Sequence, residues 1–306
     1  MKNLITLKDL TAAEIEGIFE LAAEIKKKGK SYGRPLIGKS LALVFQKPSM
    51  RTRVSFEVGM YELGGHAVYL GPQEVGLGKR EAVKDFAKTI SRYVDGAVLR
   101  TFSQRHIDEF AQYANMPVIN GLSDMLHPCQ ALGDIFTMLE KASGLNGITL
   151  AWVGDGNNVL HSLLHGCGKL GINLNIAVPK GYEPNSRVLR EAKNDAKRSG
   201  AVIKLSSKPQ DVLAGADFVY TDAWASMGQE KEYKKRLKIF KEFQLNSRLL
   251  KHANKNALVL HCLPAHRGEE ITDEVIDGPQ SIVYEQAENR LHVQKAVLVK
   301  LIDKAR

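Results

Sequence analysis

Short apolar runs alternate with stretches of helical periodicity along the whole sequence, and this rhythm restricts the fold more than any other feature. In the first half, helical patterns lie near 50–63, 81–94 and 106–115. The candidate strands are Leu41–Phe45, Ala67–Leu70, Ala97–Leu99, Pro117–Ile119, Ile148–Val153, Leu174–Val178, Val202–Leu205, Phe218–Tyr220, Leu258–Leu260 and Ile282–Tyr284. Such alternation is typical of parallel sheets whose strands are joined by crossover helices.

The length suits two domains, and the segment KASGLNG at 141–147 is the best candidate for the seam between them. We therefore expect an α/β protein with two domains, each a parallel β-sheet flanked by helices. The first domain is predicted to span 1–140 and the second 147–286. A last helical pattern predicts a C-terminal helix, so that 287–306 packs back on the first domain.

Composition argues against several classes of protein. No apolar run approaches ~20 residues, so no membrane span is expected. The N-terminal segment has no long apolar core and opens an amphipathic helix with a Thr11–Glu14 capping box, which predicts mature structure rather than a targeting peptide. The 3 cysteines lie far apart, which argues against a disulfide framework and favours a reducing cytoplasm.

The formal charge of +9 is compatible with nucleic acid, an anionic substrate or plain solubility. The densest basic segment, 231–243, mixes lysine and arginine with glutamate. Leu237 and Phe240 within it indicate one buried face. A solvated helix is therefore favoured over a nucleic-acid surface, and no nucleic-acid partner is expected.

Unusual polar clusters follow the apolar runs, so they would lie where the predicted strands end. The clusters are QKPSMRTR after LALVF, Arg100 after AVL, NGLSDMLHPCQ after PVI, GDGNN after ITLAWV, DAWASMG after DFVYT, and HCLPAHRGEE after ALVL. Open parallel sheets bind ligands beyond the carboxyl ends of their strands. The pattern therefore predicts that binding sites form at these ends.

The segment SMRTR at 49–53 joins a predicted strand to a predicted helix. Ser49 can cap this helix, whose apolar positions are Val54, Val58 and Tyr61. The N-terminus of a helix carries free N–H groups and a partial positive charge. Together with the hydroxyl and guanidinium groups of 49–53, these donors predict a pocket for phosphate or a similar anion.

Four motifs resemble the aspartate/ornithine carbamoyltransferase family. SMRTR resembles its S-T-R-T-R phosphate loop, and HPCQ at 127–130 resembles its H-P-x-Q motif. DAWASMG at 222–228 and HCLP at 261–264 resemble its D-x-x-x-S-M-G loop and its second-domain signature, and they are typical of the ornithine-using members. The motifs occur in the family's order over almost the whole chain, which makes the resemblance specific.

The resemblance implies transfer of the carbamoyl group of carbamoyl phosphate to the δ-amine of L-ornithine, giving citrulline and phosphate. The first domain would hold carbamoyl phosphate and the second ornithine. No cofactor and no metal are implied, because arginines would compensate the charge. The implied catalytic residues are Arg100, His127 and Cys262. The implied carbamoyl phosphate ligands are Ser49, Met50, Arg51, Thr52, Arg100, His127, Gln130, Cys262, Leu263 and Arg290.

The residues that the resemblance assigns to the α-carboxylate and α-amine of ornithine are Asn158, Asp222, Ser226 and Met227. Cys262 would lie at the point of transfer. Because successive residues of a strand point to opposite faces, the adjacent His261 is poorly placed to activate its thiol. We therefore interpret Cys262 as a positioning residue and not as a nucleophile.

The chemistry of the implied reaction agrees with these residue types. Attack on a carbamoyl carbon places negative charge on its oxygen, which fixed donors such as Arg100, His127 and Thr52 can stabilise. An amine with a pKa of about 10.4 is uncharged in only about one molecule in 10³ at neutral pH. We therefore expect activity to rise from neutral to mildly alkaline pH.

Two positions depart from the family pattern. Met50 stands where the phosphate loop usually has threonine, which removes a hydroxyl but keeps the backbone N–H. Gly76 stands where relatives carry a Gln or His that reaches a neighbouring subunit's carbamoyl phosphate. The family also implies a homotrimer or a multiple of trimers.

Other functions fit the sequence less well. GDGNN resembles a dinucleotide fingerprint, but Val159 replaces the third glycine and the next predicted strand ends without an acid for the ribose. Within the family, an aspartate-using enzyme should lack the S-M-G loop. An enzyme for putrescine or acetylornithine would leave Asn158 or Asp222 without its ligand group, and these two amines are the alternative substrates.

Overall fold

A computed structural model describes residues 1–78, 80–225 and 232–303. The chain forms two compact units. The first comprises Met1–Phe136 with Glu288–Arg306, and the second comprises Thr137–Ala287. The predicted seam at 141–147 stays a prediction.

The helices of the described residues vary from one turn to more than four turns. They are α1 (Ala12–Lys28), α2 (Met50–Glu62), α3 (Pro72–Val75), α4 (Val83–Ile90), α5 (Gln104–Tyr113), α6 (Pro128–Lys141), α7 (Asn158–Leu170), α8 (Ser186–Ser199), α9 (Pro209–Leu213), α10 (Tyr233–Ile239), α11 (Ser247–Leu250), α12 (Asp273–Ile276) and α13 (Val283–Leu298). Short 3₁₀ helices lie at Leu7–Asp9, Gly29–Tyr32 and Lys241–Phe243, and a π-helical turn lies at Val299–Asp303.

The described strands are short, and the apolar runs of the sequence predict them well. They are β1 (Ser40–Phe45), β2 (His66–Leu70), β3 (Gly96–Arg100), β4 (Val118–Leu122), β5 (Thr149–Val153), β6 (Asn173–Ala177), β7 (Ile203–Ser206), β8 (Phe218–Thr221) and β9 (Leu258–His261). Each of them coincides with a predicted strand to within a few residues.

The first unit contains a parallel sheet in the order β2-β1-β3-β4. Strands β1 and β3 are apolar and buried along almost their whole length, as expected for a parallel sheet covered on both faces. From β1 the chain proceeds to β2 on one side and then to β3 on the other. Phe45 and Arg100, the last residues of β1 and β3, are partners in the register. Their ends therefore form a topological switch point, where such sheets bind ligands.

The second unit contains a parallel sheet in the order β7-β6-β5-β8-β9. The chain runs outward from β5 through β6 to β7 and then returns to β8, which pairs with the other side of β5. The segments that follow β5 and β8 are GDGNN and DAWA. They lie at the switch point of this second sheet.

The first long helix and most of the last one belong to the first unit. The predicted capping box of α1 is confirmed, because the Thr11 hydroxyl accepts from the Glu14 N–H and the Glu14 carboxylate accepts from the Thr11 N–H. The predicted return of the C-terminal helix to the first unit is also confirmed. Lys295 of α13 donates to Glu62 at 2.6 Å.

One local prediction is wrong. Ile282–Tyr284 is not a strand, because α13 begins at Val283 and only an isolated bridge joins Ser281 to Val259.

Helix α2 carries apolar residues on its exposed side as well as on its buried side. Its exposed residues are Met50 (68%), Val54 (47%), Val58 (37%) and Tyr61 (76%). Its buried residues are Thr52, Phe56, Gly59 and Met60.

A membrane-spanning helix would need a longer and more apolar segment than any helix of the described chain offers.

Candidate active site

The N-terminus of α2 lies directly beyond the end of β1, as the sequence predicts. Ser49 has extended backbone angles, and its hydroxyl accepts a hydrogen bond from the Thr52 N–H at 3.4 Å. Thr52 is buried, with 1% of its surface exposed. This local structure leaves the first N–H groups of α2 at the switch point of the first sheet, where an anion can bind.

Arg290 of α13 connects this helix terminus to α6. Its guanidinium donates to the Gln130 amide oxygen and to the Thr52 hydroxyl, the latter at 3.3 Å. The other side of the Gln130 amide donates to Asp134 at 2.8 Å. All four side chains are buried. The guanidinium of Arg290, a predicted carbamoyl phosphate ligand, thus contacts two other predicted ligands, Gln130 and Thr52.

Arg100 and His127 belong to the same buried cluster. Arg100 is the last residue of β3, and His127 directly precedes α6. Burial lowers the pKa of His127 well below its usual value, and the nearby positive charges of Arg290 and Arg100 lower this pKa further. The imidazole is therefore uncharged at neutral pH, and it can take part in hydrogen bonds without adding charge.

The remaining residues of the SMRTR segment point in different directions. Met50 is largely exposed and Arg51 is half-buried, both in the first turn of α2. Arg53 donates to Glu57 at 3.0 Å and stacks over the Tyr69 ring at 3.8 Å. Arg53 is therefore engaged outside the buried cluster, although the sequence placed it among the anion donors.

A second cluster lies at the switch point of the second sheet. The Cys262 thiol donates to Asp222 Oδ1 at 2.9 Å, and the Asn157 amide donates to Asp222 Oδ2 at 2.6 Å. The Ala223 N–H also donates to Oδ1 at 2.8 Å. Both carboxylate oxygens of Asp222 are thus held in fixed directions. This geometry suits a carboxylate that receives an ammonium group.

Of the other predicted site residues of this unit, Asn158 and Leu263 are among the described residues. Asn158 begins α7 and is half-buried. Leu263 has a positive φ of 57°, a conformation that is uncommon for a branched residue and is concentrated at functional sites. Ser226 and Met227 lie outside the described residues. The assigned roles of all four residues stay predictions.

Sequence reasoning overlooked two features of the second cluster. It assigned Asn158 of GDGNN to the ligand, whereas the preceding Asn157 contacts Asp222 and also caps α7 through the N–H groups of Val159 and Leu160. An Asn directly before a helical pattern is an N-cap signal, which could have identified it.

The second overlooked feature is a buried pair behind Cys262. The Leu263 N–H donates to His261 Nδ1 at 2.9 Å, so His261 carries its proton on Nε2 and donates it to Glu270 at 3.0 Å. His261 and Glu270 are fully buried. The ring of His261 thereby fixes the turn that follows β9 and presents Cys262.

By donor type, this region could also hold a cation. The ligand atoms of Asp222, His261 and Cys262 lie within 4.8 Å of one another. A soft divalent ion such as Zn²⁺ would have to replace the hydrogen bonds that now hold these atoms. In the structure these atoms take part in the hydrogen bonds described above.

Two family models together match nearly the whole chain. Residues 2–140 match the family model described as "Aspartate/ornithine carbamoyltransferase, carbamoyl-P binding domain". Residues 146–301 match "Aspartate/ornithine carbamoyltransferase, Asp/Orn binding domain". The chain belongs to the aspartate/ornithine carbamoyltransferase family.

Individual relatives narrow the similarity to the ornithine-using members. The ornithine carbamoyltransferase of Anoxybacillus flavithermus is 50% identical over 303 residues, which cover 98% of this chain and 96% of the relative. The anabolic ornithine carbamoyltransferase of Pyrococcus furiosus is 51% identical over 300 residues, or 97% of this chain and 95% of the relative.

Solved structures show the same similarity in three dimensions. The ornithine carbamoyltransferase structure from Pyrococcus furiosus superposes with a TM-score of 0.97 at 50% identity, covering 100% of this chain and 98% of that one. The corresponding structure from Gloeobacter violaceus gives a TM-score of 0.90 at 45% identity, with 99% of each chain covered.

Proposed function

We propose that the chain transfers the carbamoyl group of carbamoyl phosphate to the δ-amine of L-ornithine, giving L-citrulline and phosphate. The observation that carries this proposal is the buried convergence of Arg290, Gln130 and Thr52 at the N-terminus of α2, next to Arg100 and His127. The names of relatives about 50% identical over nearly the whole chain support ornithine as the acceptor.

The first unit would bind carbamoyl phosphate. The N–H groups of α2 and the side chains of Ser49, Arg51 and Thr52 would hold the phosphate. Arg100 would bridge the phosphate to the carbonyl oxygen. The developing oxyanion would receive hydrogen bonds from donors that are already fixed by burial, which is the arrangement that lowers the barrier for attack at a carbonyl-type carbon.

His127 would act in this scheme as a neutral hydrogen-bond donor to the carbamoyl oxygen. Its lowered pKa keeps the ring uncharged through the pH range in which the amine becomes a nucleophile. The expected rise of activity towards mildly alkaline pH would therefore report the amine and not His127. Gln130 and Arg290 would contribute further contacts to the carbamoyl phosphate.

The second unit would bind ornithine. Asp222 would receive the α-ammonium group, and Asn158, Ser226 and Met227 would complete the contacts to the α-groups. Cys262 and Leu263 would lie at the point of transfer. The Cys262 thiol donates a hydrogen bond to Asp222, and this contact supports a positioning role.

The same proposal extends to domain roles. Residues 1–140 with the C-terminal helix 287–306 would be the carbamoyl phosphate domain, and 147–286 the ornithine domain. The two family models that match are consistent with this division. The described helices include no membrane span. A cytoplasmic location remains our proposal from the cysteine usage.

We also propose that the chain assembles as a homotrimer or a multiple of trimers. Met50, Val54, Val58 and Tyr61 follow one another at helical spacing on the exposed side of α2. Exposed apolar stripes of this kind mark association surfaces. A second copy of the chain would cover this surface.

A colorimetric assay for the ureido group tests the central proposal. Carbamoyl phosphate is offered with ornithine, acetylornithine, putrescine, lysine and aspartate in parallel reactions. Product should form with ornithine at least ~100-fold faster than with putrescine or acetylornithine, because each of these leaves a buried polar group unmatched. Lysine should also react more slowly, because its extra methylene displaces the terminal amine, and aspartate has no δ-amine to receive the group. Faster product formation with putrescine or acetylornithine would transfer the assignment to that amine.

A further inference from the structure

A buried arginine outside the predicted site links the two loops that carry the second cluster. Arg236 of α10 is 6% exposed. Its Nη1 forms an ion pair with Asp155 at 3.0 Å and donates to the Trp224 carbonyl at 2.7 Å. The Tyr182 ring lies 4.8 Å and the Phe240 ring 5.8 Å from the guanidinium carbon. Aromatic rings and hydrogen bonds therefore fix the plane of this side chain.

The two groups that accept from Arg236 are close in sequence to Asn157 and Asp222. Asp155 comes two residues before Asn157 in the loop after β5, and Trp224 comes two residues after Asp222 in the segment after β8. Asn157 and Asp222 are joined directly at 2.6 Å. One guanidinium thus ties together the two strand ends from which the proposed ornithine contacts project.

The positive charge of Arg236 also stabilises the buried carboxylate of Asp155. Burial raises the pKa of Asp155 to about 6; the positive charge of Arg236 opposes this rise and the Asp222 charge adds to it. Arg236 therefore compensates a buried carboxylate in the loop after β5. The Glu232 carboxylate also contacts Arg236 at 3.2 Å, but about half of that side chain is exposed.

We propose that Arg236 is a positioning residue for the amino-acid substrate, an inference that rests on the proposed function. It binds Asp155 and the Trp224 carbonyl together, and so sets the distance and angle between the loop that carries Asn158 and the segment that carries Asp222. It touches no reacting atom. Its loss should impair recognition of the α-groups of ornithine and leave carbamoyl phosphate binding intact.

The first test compares Arg236→Ala and Arg236→Lys with the wild type. The Michaelis constant for ornithine should rise at least ~10-fold in Arg236→Ala, whereas that for carbamoyl phosphate should change less than ~2-fold. Inhibition by L-norvaline, which has the α-groups but lacks the δ-amine, should weaken by the same factor as ornithine. Arg236→Lys should lie between, because an ammonium keeps the charge but loses the planar fork.

A matched control is available on α8. Arg187 lies in the same unit, pairs with Glu191 at 3.0 Å and has a side chain that is 72% exposed. Arg187→Ala should leave both Michaelis constants unchanged. Size-exclusion chromatography and denaturant unfolding establish that each variant is folded before its kinetics are compared.

A double variant separates positioning from stability. Arg236→Ala leaves Asp155 buried without its cation, which is destabilising, whereas replacing both partners with neutral residues can restore stability. In Asp155→Asn/Arg236→Met, stability should recover relative to Arg236→Ala, but the raised Michaelis constant for ornithine should persist. Recovery of ornithine affinity together with stability would show a purely structural role and overturn the inference.

Three further outcomes would contradict the positioning role of Arg236. Equal rises in the Michaelis constants for both substrates, or an unchanged constant for ornithine in a folded variant, would refute the positioning role alone. A wild-type chain that carbamoylates another amine and not ornithine would refute the proposed function, and this inference with it.

Discussion

At the scale of single residues, local signals and distant contacts differ in how well they can be predicted. The cap formed by Ser49 follows from a hydroxyl residue at the start of a helical pattern. The contacts of Arg290 with Gln130 and Thr52 join residues 160 and 238 positions apart. No local pattern encodes such contacts, and only the family resemblance identified Arg290.

Asp222 and Arg51 should affect different substrates. We expect Asp222→Ala to raise the Michaelis constant for ornithine about 10- to 100-fold, because a hydrogen bond to a charged group contributes about 1.5–3 kcal/mol. Arg51→Ala should do the same for carbamoyl phosphate. Initial rates with each substrate varied at saturation of the other measure both constants. Equal effects of either variant on both substrates would contradict the assignment, and Asp211→Ala, a change at an exposed carboxylate, is the control.

Asp155 should make stability depend on pH in a defined direction. Its pKa is raised from 3.8 to about 6, so the folded state binds this proton more tightly than the unfolded chain. Between about pH 4 and 6, ionisation therefore costs the folded state free energy as pH rises. In Asp155→Asn this cost is absent.

The difference in unfolding free energy, Asp155→Asn minus wild type, should increase from pH 4 to 6 by on the order of 3 kcal/mol and then level off. Urea denaturation at a series of pH values measures it. A difference that is constant over this range would show that Asp155 has an ordinary pKa in the folded protein.

At the scale of helices and strands, burial explains both the correct and the wrong predictions. Runs such as Leu41–Phe45 are strands because a parallel sheet buries both of their faces. Ile282–Tyr284 is also a short apolar run. Periodicity alone cannot distinguish such a run from the start of a buried helix. Helix α2 has apolar residues on both its exposed and its buried side, so its sequence pattern alone does not show which side faces the core.

The capping box of α1 offers a test at this scale. Thr11→Ala removes the hydroxyl that accepts from the Glu14 N–H at 3.1 Å. The free energy of unfolding should fall by about 1 kcal/mol. Denaturant unfolding measures this change, and the carbamoyltransferase rate under native conditions should be unaltered. An unchanged midpoint would mean that the first turn of α1 frays in the wild type.

At the scale of the whole molecule, the rhythm of the sequence predicted two parallel sheets, and both are present. The register that places Phe45 beside Arg100 could not be predicted, because it depends on pairing between strands about 50 residues apart. Assembly was expected from the family resemblance alone. The exposed apolar side of α2 is the surface on which the proposed assembly can be tested.

Tyr61→Glu should disrupt this assembly. Tyr61 is 76% exposed on the stripe, and a charge placed in an apolar contact between copies would be strongly unfavourable. Light scattering after size-exclusion chromatography should show a shift from the wild-type mass towards the monomer. Tyr93→Glu, at a position 72% exposed in the same unit, is the matched control. A monomeric wild type would refute the trimer.

Each sheet reverses its strand order once, and each reversal carries one of the two proposed sets of ligand groups. If these sets act as proposed, separately encoded loops would recognise the donor of the carbamoyl group and its acceptor. Mutation could then remodel the pocket for the amine while the phosphate-binding loop stays unchanged. One ancestral scaffold could in this way diversify into enzymes for several acceptors without inventing the chemistry again.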